Sequence, residues 1–196
     1  MKEESGKINI VFKCDREEIP GIVNLCLDHI RKKTYVVPVD LLLLAKLKWI
    51  VTELLTNAVK HSGMEECILT FEQNNEQLVL EKEDTGKPLK LFENNSGKVI
   101  NWPLQNLSEP LEFQIYHNGT ESLKVRSTEP DSADFFVEQL DDVEMPGLLI
   151  DTSEHFGLLI LTKASDEFTY TYDPVLKINR FRSTIYLKSS EHEASV

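Results

Sequence analysis

The stretch WIVTELLTNAVKHSG, residues 49–63, decides how the rest of the chain is read. It belongs to a helical pattern running from about 41 to 62. At about 100° per residue, Leu44, Leu47, Val51, Leu55 and Ala58 fall on one side and Lys46, Glu53, Asn57 and Lys60 on the other. Asp40, after the break VVPVD, suits the N-cap. Gly63 stands where the left-handed residue after a helix belongs. A helix apolar over most of its girth, with one narrow polar stripe, is a core helix that turns one face to something other than the core.

Outward from this helix the pattern is mostly strands. KINIVFKC (7–14) alternates apolar and polar residues and contains β-branched ones, so it reads as a strand. REEIPGIVNLCLDHIRKK (16–33) has helical apolar spacing, with Pro20 in its first turn. ECILTFEQ (66–73) and QLVLEKED (77–84) read as strands joined at Asn74-Asn75, and DTGKP follows as a turn. From about 89 to 150 the pattern weakens and Asn, Ser, Pro and Gly become frequent. Within it, LEFQIYHNGTESLKV reads as a hairpin turning at Asn118-Gly119. SEHFGLLILTKAS (153–165) reads as a short helix. EFTYTYD and RFRSTIYLK read as two closing strands, and SSEHEASV as a polar, frayed tail. Strands that neighbour each other in sequence predict an α+β fold. The expectation is one domain, a two-layer α/β sandwich whose mixed, mostly antiparallel sheet has helices on one face.

The composition narrows the function. Among 196 residues, 41% are hydrophobic and 28% charged, as in a globular chain. The net charge of −12 argues against nucleic acid and against anionic membranes, which select clustered Lys and Arg. The start, MKEESGKINIVF, is acidic where a signal peptide is basic, and LLLLA is too short to span a bilayer, so a cytoplasmic protein is expected. Cys14, Cys26 and Cys67 are odd in number and not at chelating spacing, and read as reduced, mostly buried thiols. The five histidines show no HExxH-type spacing, so zinc is not expected.

The motifs add a family resemblance. ELLTNAVKH resembles the N-box of the GHKL (histidine kinase-like) ATPases, the superfamily of gyrase, heat-shock chaperone, histidine kinase and mismatch-repair ATP-binding domains. EDTGKP resembles their first glycine box, and HFGLLIL a worn second one. The order of elements is most similar to the anti-sigma-factor serine kinase branch. The resemblance covers roughly residues 7–88 and 153–188. It implies a Bergerat-type ATP-binding fold in a bacterial regulatory protein, with an insert at about 89–150 replacing the ATP lid.

The resemblance also implies roles. Asn57 would give a side-chain oxygen to Mg²⁺, a hard cation. Glu53, one turn earlier, would be the catalytic base or water-orienting carboxylate. Lys60 and His61 would meet phosphate oxygens, although both also complement the dipole of a helix C-terminus whatever the function. Asp84 would accept from the adenine amino group, and Gly86 and Gly157 would let backbone come close to the nucleotide. ATP and Mg²⁺ are the implied cofactors. A regulatory protein of the anti-sigma-antagonist or sigma-factor type is the implied partner, with a homodimer left open. Two motif glycines are replaced, by Pro88 and His155, and proline has no N–H to donate. Two readings therefore stand: an active anti-sigma-type serine kinase, or a degenerate GHKL-fold interaction module that binds nucleotide weakly or not at all.

Overall fold

The computed structural model describes residues 6–33, 41–140 and 155–187. Its elements follow in the order β1 (Gly6–Lys13), α1 (Ile19–Lys33), α2 (Leu41–Asn57), β2 (Glu66–Gln73), β3 (Gln77–Asp84), β4 (Lys90–Phe92), β5 (Val99–Asn101), β6 (Leu111–His117), β7 (Glu121–Ser127), β8 (Ser132–Gln139), α3 (Phe156–Ala164), β9 (Glu167–Asp173) and β10 (Ile178–Tyr186). Eight strands form one sheet in the order β1-β2-β3-β10-β9-β8-β7-β6, and β4 and β5 form a separate small hairpin. The fold is α+β, as expected. The sheet differs from the mixed one expected, because every described strand pair is antiparallel.

Alternation along the strands separates the layers. Phe12, Cys67, Leu69, Phe71, Leu78 and Leu80 are buried on the inward face of β1–β3. They share one core with Ile30 of α1, Leu47, Ile50, Leu54 and Leu55 of α2, and Leu161 of α3. Each such buried side chain contributes about 1.5–3 kcal/mol relative to exposure, so packing far outweighs capping in holding α2. The outward face of the same strands is mostly polar, with Val11 and Ile68 exposed on it. There Thr70 donates to Asn9 at 3.0 Å, and Arg180 and Arg182 pair with Glu83 at 2.8 Å and Glu81 at 3.7 Å. No helix among the described residues is long and apolar enough to cross a membrane.

Local expectations hold with three differences. The helix predicted to run to 62 changes pitch at Asn57 and ends in a turn of π-helix, Ala58–Ser62, before Gly63 at φ +66°. Apolar spacing carries no signal for a change of pitch over a single turn. The hairpin at Asn118-Gly119 forms, but positive φ falls on Gly119 alone. Asn118 instead accepts from the Thr120 and Glu121 N–H groups through Oδ1, at 3.1 and 2.8 Å, and so closes a three-residue loop with its side chain. Within 89–150, β6–β8 continue the main sheet next to β9. The Asp40 cap, the VVPVD break, residues 153–154 of the short helix and the polar tail lie outside the described residues.

Candidate functional site

A cavity of about 320 Å³ opens where the end of α2, the end of β3, the segment after it, the start of α3, and β10 converge. Its wall includes Asn57, His61, Asp84, Pro88 and His155. Segments separated by up to about a hundred residues thus meet at one place, Pro88 and His155 included. Glu53, Lys60, Gly86 and Gly157 are not among its lining residues. Among the described residues the wall holds three lysines, Lys82, Lys87 and Lys90, and one carboxylate, Asp84. In a chain of net charge −12, this is a local field that favours an anion.

Asp84 sits at the centre of a buried polar network. Lys82 and Asp84 are two apart on β3 and so share its inward face, where both are buried. The Lys82 ammonium pairs with Asp84 Oδ2 and also lies 4.5 Å over the Phe181 ring. Asp84 Oδ1 accepts from the Gly86 N–H at 2.8 Å and from Asn179 Nδ2 at 3.0 Å. Asn179, directly opposite Asp84 in the β3–β10 register, also faces the carbonyls of Gly86 and Lys87, at 3.1 and 3.3 Å. Its own Oδ1 accepts from the Tyr170 hydroxyl at 2.7 Å, which in turn accepts from the Leu89 N–H at 3.0 Å. Burial pushes the Tyr170 hydroxyl up, which keeps it a donor. The network holds Asp84 and residues 87–89 in place along the cavity wall.

Two glycines mark close approaches. A Cβ on Gly86 would lie 2.0 Å from the Ser62 carbonyl oxygen, so the turn after β3 packs directly on the end of the π-helical turn. The contact Gly86 permits is therefore with the chain's own backbone. A Cβ on Gly157 would lie 2.6 Å from Glu53 Oε2 and 3.5 Å from Asn57 Oδ1. Gly157 thus lets the start of α3 sit against the polar stripe of α2, with both stripe oxygens at one point.

Glu53 is half-buried there. Burial raises its carboxyl above the ordinary range, and nearby Lys60 offsets part of the rise. A carboxyl raised in the folded state holds its proton more tightly there than in the unfolded chain. Its ionisation therefore costs stability, increasingly as pH rises from the unfolded value through the folded one. Glu53→Gln is expected to raise Tm at pH 7 and to lose that advantage below about pH 4. Equal Tm for the two proteins at pH 7 would mean that water solvates the carboxylate fully.

Among the described residues no three His, Cys, Asp or Glu side chains are grouped to hold a metal. Asn57 and Glu53 offer two oxygens, a set that suits Mg²⁺ only when phosphates and water complete its shell. Lys82, Asn179 and Tyr170 escaped the sequence reading. The first was legible in principle, since period two places it beside Asp84. The other two depend on a register across many residues. No family model matches this chain, and no curated protein matches it either.

Proposed function

We propose that the cavity binds an adenine nucleotide, in a Bergerat-type fold of the GHKL kind serving a cytoplasmic bacterial regulatory protein. The observation that carries this reading is the convergence of Asn57 and His61, Asp84 and Pro88, and His155 on one wall. A volume of about 320 Å³ falls at the lower end of the ~300–1,000 Å³ typical of small-molecule sites. In this reading Asp84 would accept from the base amino group. His61, Lys87 and Lys90 supply cationic or donor groups for phosphates. Mg²⁺, held by Asn57 with Glu53 beside it, would neutralise phosphate charge. Glu53 is the residue to orient a water or take a proton if turnover occurs.

A second reading is favoured by specific contacts. Both oxygens of Asp84 are already engaged, by Lys82, Gly86 and Asn179. On the resemblance, Pro88 and His155 take the place of glycines whose backbone would meet phosphates. These features weigh towards a module that holds nucleotide with little turnover and acts through a protein partner, rather than towards an anti-sigma-type serine kinase. Release of γ-phosphate, measured with and without candidate partner proteins, separates the two.

Nucleotide binding itself is tested by thermal shift. At about 100 times Kd, a ligand specific to the native state stabilises by about 2.7 kcal/mol, a Tm rise of roughly 5–10 °C for a domain this size. Mg-ATP is expected to give a rise of this order. Asn57→Ala should leave the apo Tm nearly unchanged and remove the magnesium dependence of the shift. No shift with millimolar Mg-ATP or Mg-ADP would end the nucleotide reading and leave the fold to protein interaction.

A further inference from the structure

Cys14 lies one residue beyond β1, and Cys67 is the second residue of β2. Phe12 pairs with Cys67, and the Cys14 N–H donates to the Glu65 carbonyl at 2.9 Å. The two cysteines are therefore diagonal neighbours at the end of the β1–β2 ladder. Their Sγ atoms are 3.0 Å apart. A disulfide has them at about 2.05 Å, so closing the bond takes an approach of roughly an ångström. Cys26, the third cysteine, is buried on α1 and has no such neighbour among the described contacts.

We propose that Cys14 and Cys67 are a reversible oxidation site that closes to an intramolecular disulfide when the chain meets a peroxide. Cys14 is half-buried and Cys67 is buried, so the oxidant reaches Cys14 first. The Cys14 thiolate attacks one peroxide oxygen, the O–O bond breaks, and hydroxide leaves, taking up the proton that the Cys14 thiol gave. The product is a sulfenic acid and one water. The Cys67 sulfur then attacks the sulfenic sulfur, the S–OH bond breaks, and the Cys67 proton leaves with the hydroxyl as a second water. Two thiols are oxidised and one peroxide is reduced. Burial, together with the Cys14 contact, pushes the Cys67 thiol up to about 12, so Cys67 is not the sulfur that the peroxide oxidises first. A small-molecule thiol reverses the bond by exchange.

The position gives the bond a structural neighbour. Ser62 Oγ lies 3.6 Å from Cys14 Sγ, and Ser62 also lines the cavity. The site stands on these contacts whether or not the cavity takes a nucleotide.

The test uses the full chain, reduced and then treated with hydrogen peroxide. Alkylation under denaturing conditions should label three cysteines before treatment and one, Cys26, after it. Proteolysis and mass spectrometry should recover a peptide joining Cys14 to Cys67, lighter by two hydrogens and lost on addition of dithiothreitol. Cys14→Ser should keep both remaining thiols alkylatable after peroxide. Three free thiols after treatment, a bond to Cys26, a bond between two chains, or Cys14 carried on to a sulfinic acid without a partner would each overturn the proposal. The wild-type peptide map decides the matter even if Cys14→Ser fails to fold.

Discussion

Lys82→Met is expected to destabilise the protein by about 3–5 kcal/mol, the cost of leaving a buried charge without its partner. Asp84 would keep its bonds from the Gly86 N–H and Asn179, but in a setting only 7% exposed it would lose its cation. Asp84→Asn should cost a comparable amount, because it strands the Lys82 ammonium. Combining the two should recover much of the loss. The amide oxygen still accepts from Gly86 and Asn179, and methionine fills the lysine's place over Phe181. Urea denaturation of the two single variants and the double one measures the coupling directly. Single variants costing under about 1 kcal/mol would mean that water reaches the pair. The same cycle bears on ligand tests. A loss of nucleotide binding by Asp84→Asn alone mixes stability with recognition, whereas the double variant separates them.

Gly86→Ala carries the second large effect. Its Cβ would sit 2.0 Å from the Ser62 carbonyl oxygen and 3.1 Å from Asp84 Oδ1. Backbone faces backbone there, so relief requires moving the end of β3 away from the π-helical turn, against the network that holds it. A cost of about 3 kcal/mol is expected, at the upper end for overpacking. Gly157→Ala is the matched control. Its Cβ meets the end of the Glu53 side chain at 2.6 Å, and a carboxylate can swing aside, so the cost should stay below about 1 kcal/mol. Chemical denaturation of both variants side by side checks the contrast. Equal costs would contradict the close backbone approach at Gly86.

The local half of this structure was legible in the sequence and the non-local half was not. The apolar stripe from Leu47 to Ala58, the αL glycine at 63 and the turn signals at Asn74 and Asn118 act over a few residues, and they gave α2 and two hairpins. The strand β8 has no comparable signal. SADFFVEQ alternates poorly and follows the turn residues Glu129-Pro130-Asp131, so it read as part of a weak segment. It becomes a strand because β7 and β9 offer it two ladders. At the site, the meeting of Asn57 and Asp84 followed from the motifs, whereas Glu53, expected in the same cleft, lies against Gly157 and outside the cavity wall. The bonding of Asp84 did not follow from them, because Asn179 reaches it only through a register set ninety-five residues later.

That register also sets an order of assembly. Within the sheet, β10 joins β3 on one side to β9 on the other. It supplies Asn179, which holds the carbonyls of Gly86 and Lys87 and the carboxylate of Asp84. A chain leaving the ribosome can form the β1–β3 hairpin layer and the β6–β9 layer as separate halves, each with an unpaired strand edge. Only when residues 178–186 emerge does one strand zip the halves together and lock this stretch of the cavity wall. A half-made copy therefore offers bare sheet edges to its neighbours and a cavity whose wall is not yet held in place.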